Sequence, residues 1–223
     1  MGVHALQHGV LAYRSEGAQL HSKRLPVWDG ALLHAMKTVY IERSAGGAHD
    51  GNWAEELDLE GVERIVVGTG PGSFAGIRSA IAFATGYSLG CKCEVLGLPS
   101  PCAIAAQYFS QRPCGEEEPQ GLAVVGDARR GKFWIALFEG LESIREVFQT
   151  EEEGLRSCIP EGFSVVTPDS QRIGTLLAEK FGDRYDGGVE PDADGLRVFA
   201  EANPSMLKPE PLPIYLNPAV RDS

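Results

Sequence analysis

The residues best suited to chemistry fall in two short stretches. The first, "GTGPGSFAGIR" at residues 68–78, gathers Gly70, Pro71, Gly72, Ser73, Phe74, Gly76 and Arg78. It satisfies the relaxed dinucleotide spacing G-x-G-x-x-A between an apolar run and a helical one, where backbone amides could meet a phosphate. Three features oppose the dinucleotide reading: the motif is not at the chain's first strand unit, the acidic Glu94 opens a strand rather than ending it, and Pro71 has no amide to donate. The Walker loop and the G-x-S-x-G elbow also fail, since no Gly-Lys-Ser/Thr follows and Gly72 directly precedes Ser73. Spacing therefore leaves two readings open: a phosphate contact, or a tight turn with Ser73 as the N-cap of a helix.

The second stretch is "GDARRGKFW", residues 126–134, with Asp127, Arg129 and Arg130 at the end of a strand. Two arginines in a turn could bind an anion, or could simply be solvated. Elsewhere the chemistry is thin. His4, His8, His21, His34 and His49 are scattered, with no carboxylate or cysteine set at ligand spacing, so no metal site is expected. No nucleophile–base pair can be assigned, and no catalytic residue is named.

Composition narrows the classes. A net charge of −11 argues against a chain that grips a phosphate backbone alone, because that binding depends on Lys and Arg. The five cysteines are odd in number and match no zinc spacing, which suits a reduced cytoplasmic compartment. The longest nearly uncharged run, around residues 74–91, contains Arg78, glycines and hydroxyls, so no membrane span is expected.

Residues 1–16 read as a hairpin. Residues 29–43 show helical period, with one stripe of Leu32, Ala35, Met36 and Val39 and a second pair, Leu33 and Tyr40. The segment 44–56 reads as a polar loop. The continuous apolar run at 64–68 predicts a strand buried on both faces. A helix over 74–89, a strand over 93–99 and a helix begun by Ser100-Pro101 follow. After a connector at 114–120, strands are expected at 121–127, 132–140, 142–150 and 163–168. A helix capped by Asp169 or Ser170 runs to Phe181, and another spans 194–202. A proline-rich extended tail ends the chain. Two lobes of similar strand–helix order result, residues 1–113 and 114–223. The first is short of its opening strand, which leaves a central sheet position open to a partner or to alternative pairing.

The helix over 74–89 has almost no polar face. Phe74, Ile77, Ile81 and Ala84 form one stripe, Phe83 and Tyr87 another, and Ala75, Gly76, Ser79, Ala82 and Gly86 fill the gaps. A helix apolar all round must be covered all round. Either it packs against the 29–43 helix, or the two together form an association surface through Leu32, Leu33, Met36, Val39, Tyr40, Ile77, Ile81, Ala82 and Phe83.

"GTGPGSFAGIR", then "GDARRGKFW", then the closing "PLPIYLNPAV" occur in the order of the TsaB family, also called YeaZ, and the sequence resembles that family from about residue 65 to 217. The resemblance implies a mixed α/β, two-lobed actin-like ATPase fold of the ribonuclease H-like class. It also implies a non-catalytic scaffold role in making threonylcarbamoyladenosine in tRNA. Implied partners are a TsaD-like catalytic subunit and a TsaE-like ATPase, with a homodimer in isolation. Contact with tRNA is expected only through the complex, and so is ATP or ADP, with no cofactor bound by the chain alone. The implied pairing surface is the two helices of the first lobe. An actin-like ATPase or kinase, or a glycoprotease-like peptidase, is the alternative. The sequence also departs from the family pattern, in part at the first turn, which approaches phosphate in related ATPases. The family's opening strand ending in Asp-Thr-Ser is absent, Ala75 replaces a threonine, Lys132-Phe133-Trp134 replaces Glu-Val-Tyr, and Asn217 replaces a final arginine.

Overall fold

The computed structural model describes residues 4–6, 10–13, 37–45, 54, 57, 59–111 and 119–216. In chain order the elements are β1 (His4–Leu6), β2 (Val10–Tyr13), β3 (Thr38–Ile41), β4 (Arg64–Gly68), α1 (Phe74–Cys91), β5 (Glu94–Leu98) and α2 (Ser100–Gln111). The second half contributes β6 (Gly121–Arg129), β7 (Lys132–Glu139), β8 (Glu142–Glu151), α3 (Leu155–Cys158), β9 (Phe163–Thr167), α4 (Ser170–Phe181), β10 (Tyr185–Gly188), α5 (Ala193–Ala202) and β11 (Lys208–Pro209).

These strands form two mixed sheets. The first has the order β1-β2-β3-β4-β5-β11 and the second the order β10-β9-β6-β7-β8. In the first sheet β3, β4 and β5 run parallel, with Val39 opposite Ile65 and Ile65 opposite Val95. The second sheet joins an antiparallel β6-β7-β8 meander to the parallel pairs β6-β9 and β9-β10. Both sheets are flanked by helices, as the sequence patterns imply. The strand expected at 64–68 and the helix beginning at Phe74 stand where they were expected.

Three apolar layers hold the fold. Outside the first sheet, Ala80 and Ala84 of α1 meet Val39, Ile41, Ile65 and Val67. Between the sheets, α2 and α5 share a core that includes Val66, Leu98, Leu122, Trp134 and Phe138. Outside the second sheet, Leu177 and Phe181 of α4 cover Val125, Ile135 and Val165. The α2–α5 crossing is close, because a Cβ on Gly195 would lie 2.4 Å from the Ala103 carbonyl oxygen. The two halves are also joined through the tail, where β11 pairs antiparallel with β5 at Lys208 opposite Gly97.

One expected element is overturned. The 29–43 helix is not formed over its last residues; Thr38–Ile41 is a strand buried at every position. It lies between β2 and β4, the central position that the lobe comparison left unfilled. The physical reason is that "TVYI" is β-branched and aromatic throughout and fits a site covered on both faces, where strands read as continuous apolar runs. Its helical period at Val39 is an accident of the stripe it continues. Leu32, Leu33 and Met36 lie outside the described residues.

Candidate functional site

The two motif stretches face each other across a cleft of about 600 Å³ between the sheets. The glycine loop forms one wall through Pro71, Gly72 and Ser73, and the β6-β7 hairpin forms the other through Asp127 and Arg129. This is where open α/β sheets place binding sites, at the carboxyl ends of parallel strands.

The glycine loop spends most of its amides inside the protein. Gly70 N–H donates to Ser100 Oγ at 3.0 Å, and Ser100 N–H returns a bond to the Gly70 carbonyl at 3.0 Å. Thr69 N–H donates to the Leu98 carbonyl, and Ser73 N–H to the Ser44 carbonyl at 2.6 Å. Ser73 caps α1, its side chain accepting from Gly76 N–H at 3.3 Å. Gly70 has φ +85°, and a Cβ there would strike Ile77 at 2.5 Å. On Gly72 a Cβ would lie 2.5 Å from the Ser44 carbonyl oxygen. The glycines thus let β3, the loop and α1 approach closely. Of the two sequence readings, this geometry favours the tight turn.

Sequence reasoning missed a carboxyl group behind that loop. Glu42 follows β3 and is buried, with Oε1 accepting from Ser44 N–H at 2.7 Å and Oε2 lacking a partner. It fills the space over Gly68, where a Cβ would lie within 2 Å of Glu42 Oε2. Burial pushes its carboxyl up from the ordinary value, against hydrogen bonds involving Ser44, Ser100 and Arg43. The signal for it was an acid directly after a β-branched run, hidden by the helical reading of 29–43.

The hairpin wall is internally neutralised. Asp127 N–H donates to Asp169 Oδ2 at 2.9 Å, and Arg129 N–H donates to Asp127 Oδ1 at 2.7 Å. Arg172 Nε lies 3.3 Å from Asp127 Oδ2, its Nη2 pairs with Asp169, and Arg129 Nη1 lies 3.4 Å from Asp127. Arg172 was not singled out in the sequence, because nothing local ties it to Asp127 across 45 positions. Asp169 does stand at the N-cap of α4, yet its carboxylate serves the hairpin rather than the helix amides. Arg130 is exposed at the turn, with φ +57° beside Gly131 at +73°. Trp134 lies over Gly126, where a Cβ would be 2.1 Å from the indole. Among the described residues, no cluster of three or more His, Cys, Asp and Glu side chains could hold a metal ion.

The remaining candidates belong to α1. Ile77 is buried against the loop, and Val39 and Tyr40 are core residues of β3, so none of the three faces outward. Ile81 and Phe83 are half-buried on the sheet, with Phe83 stacked on Tyr87 at 6.3 Å. Ala82 points out, on a line with Ala75, Ser79, Gly86 and Leu89, all exposed. Phe74 is 59% exposed at the cleft mouth, with Arg78 over its ring at 4.8 Å and Tyr215 at 5.7 Å. No described helix is long and apolar enough to cross a membrane.

Comparison with known proteins extends this picture. The TsaD family, tRNA N6-adenosine threonylcarbamoyltransferase, matches residues 54–157, which run past the glycine loop and the hairpin. No curated protein sequence matches the chain significantly. Among solved structures, an uncharacterized protein with similarity to peptidase YeaZ, from Pseudomonas aeruginosa, superposes with a TM-score of 0.56 at 19% identity. That match covers 74% of this chain and 78% of the other. YeaZ from Pseudomonas aeruginosa superposes with a TM-score of 0.55 at 19% identity, over 73% and 78% of the two chains. The two mixed sheets flanked by helices are thus the fold of these YeaZ structures, and residues 54–157 within it resemble the TsaD family.

Proposed function

We propose that the chain is a non-catalytic scaffold subunit acting in tRNA modification. It pairs with a TsaD-type catalytic subunit that transfers a threonylcarbamoyl group to the adenosine beside the tRNA anticodon. The outward face of α1 makes the contact. The observation that carries this reading is Gly86. It sits inside an exposed helix, where glycine costs about 1 kcal/mol relative to alanine. Among the described residues, a Cβ there would meet no atom within 4 Å outside its own helix backbone. With Ala75, Ser79, Ala82 and Leu89 it forms a 4-3-4-3 line of mostly small residues, the spacing by which one helix seats closely on another. Leu89, 83% exposed, ends that line as an apolar anchor.

The cleft supports a scaffold rather than an enzyme. Its arginines are engaged by Asp127 and Asp169, and the loop amides of Thr69, Gly70 and Ser73 by protein oxygens. A nucleotide would enter only in the complex, and the same α1 face would hold two copies together when the partner is absent. A TsaE-like ATPase and tRNA join through that complex. The test is co-purification: a tagged chain should retain the TsaD-type subunit, and Ala82→Arg should release it. Retention by the arginine variant would overturn the reading.

The volume of the cleft, about 600 Å³, favours a second reading as an ATPase or kinase acting alone. Calorimetric titration of the isolated chain with ATP and magnesium separates the two. Micromolar or tighter binding would support the enzyme, and no heat of binding the scaffold.

A further inference from the structure

Charge is spread unevenly over this protein, and at α1 the balance reverses. The chain holds 31 Asp and Glu against 20 Lys and Arg, yet the 18 residues of α1 include no acid and a single base, Arg78. Lys92, at the C-cap of the helix, is a second base. Both side chains are exposed. Among the described residues no carboxylate pairs with either one. The Arg78 guanidinium instead lies 4.8 Å over the Phe74 ring, and that ring packs on Tyr215 at 5.7 Å. The aromatic contact orients the cation before any partner arrives.

Their spacing sets both cations beside the line of small residues. Ala75, Ser79, Ala82, Gly86 and Leu89 alternate as the d and a positions of a heptad, so the g positions on one flank are Arg78, Thr85 and Lys92. The e positions on the other flank are Gly76, Phe83 and Gly90. In paired helices the e and g residues meet across the seam and set partner choice and orientation. Here one flank is cationic and the other carries no charge. Two copies of α1 laid antiparallel would set the cationic flank against itself. Laid parallel, they would set it against Gly76, Phe83 and Gly90. Neither arrangement supplies an acid from α1.

We infer that the helix seated on α1 belongs to a partner that presents carboxylates opposite Arg78 and Lys92, so that charge selects a second subunit over a second copy of this chain. The inference rests on the proposed pairing role of the outer face of α1 and adds the chemistry of what covers it. A carboxylate can accept two parallel N–H groups from the Arg78 guanidinium, while Lys92 serves as a point charge. Close seating along the small residues excludes water, and the pairs then act in a lower dielectric than the open surface. Self-pairing leaves both cations without a counter-charge, and like charges across the seam oppose it.

The experiment titrates the full chain with the TsaD-type subunit by calorimetry and follows the chain alone by sedimentation equilibrium. The substituted side chains are exposed, so each variant should keep its fold by circular dichroism. Arg78→Gln combined with Lys92→Gln should weaken the mixed complex about tenfold or more. The parent complex should weaken as sodium chloride rises, and the doubly substituted one should lose most of that dependence. Arg78→Lys should keep the salt dependence, because the charge remains. Arg78→Glu should weaken the mixed complex yet leave self-association unchanged or stronger, since it offers an acid to the cations of a second copy. Equal affinity with and without the two cations, beside an Ala82→Arg chain that no longer pairs, would overturn the inference and leave the pairing surface standing. Pairing retained by Ala82→Arg would overturn both. Self-association that falls as far as the mixed complex in Arg78→Glu would also overturn the inference.

Discussion

Gly86 offers the sharpest test of the proposal that the outer face of α1 serves a second chain. Replacing it with alanine adds one methyl group that meets none of the described residues within 4 Å outside its own helix backbone. The isolated chain should therefore gain the intrinsic preference of alanine over glycine inside a helix, about 1 kcal/mol. For a chain of 223 residues that corresponds to a rise in Tm of roughly 2–4 °C. Pairing should move the other way. A methyl group pushed into a close contact between helices costs about 1–3 kcal/mol, or roughly tenfold or more in Kd. Urea unfolding of the dilute chain and titration with the TsaD-type subunit measure the two terms separately. Gly195→Ala is the control, since its Cβ would lie 2.4 Å from the Ala103 carbonyl oxygen and should destabilise the chain. A less stable Gly86→Ala chain, or one that pairs as tightly as the parent, would refute the reasoning.

Other expectations follow from the cleft. Ser100→Ala strips Gly70 N–H of its acceptor, and urea unfolding should show a loss of about 1–3 kcal/mol. Gly126→Ala drives a methyl group into Trp134, so unfolding should show a loss of about 1–3 kcal/mol together with altered tryptophan fluorescence. Glu42 makes stability depend on pH with a definite sign. Its folded carboxyl titrates above the unfolded value of 4.5, so the native state keeps a proton that the unfolded state has lost. That contribution is complete below pH 4.5 and declines as pH rises through the folded value. Glu42→Gln should remove the decline, so its stability relative to the parent should grow above pH 4.5 in parallel urea titrations. A constant difference across pH would contradict a buried, protonated Glu42.

The parts of the fold governed by local pattern were legible in the sequence. The run at 64–68 had no polar residue after Arg64 to give to water, and it is a parallel strand buried between layers. Ser73 capped the helix its position suggested. β3 was misread because Val39 continued a helical stripe, and a four-residue strand cannot outvote a longer period. Only the sheet, by needing a central strand beside β4, selects the extended form. The cleft was half legible. Both of its walls were marked by their motifs, but the Arg172 bridge and the Glu42 carboxyl arise from contacts between segments far apart in the chain. Of the α1 residues put forward for association, only Ala82 lies on the outward face, since Ile77 is buried and Ile81 and Phe83 are half-buried. Which residues face out became clear only once β3 and β4 had claimed Ala80 and Ala84.

The central claim is that the outer face of α1 is a pairing surface. Sedimentation velocity of the chain mixed with a TsaD-type subunit tests it most directly, with Ala82→Arg run beside the parent. Ala82 is exposed, so the arginine should leave the isolated fold intact by circular dichroism. The account predicts a one-to-one complex for the parent and two separate species for the variant. The same complex formed by a folded Ala82→Arg chain would contradict it.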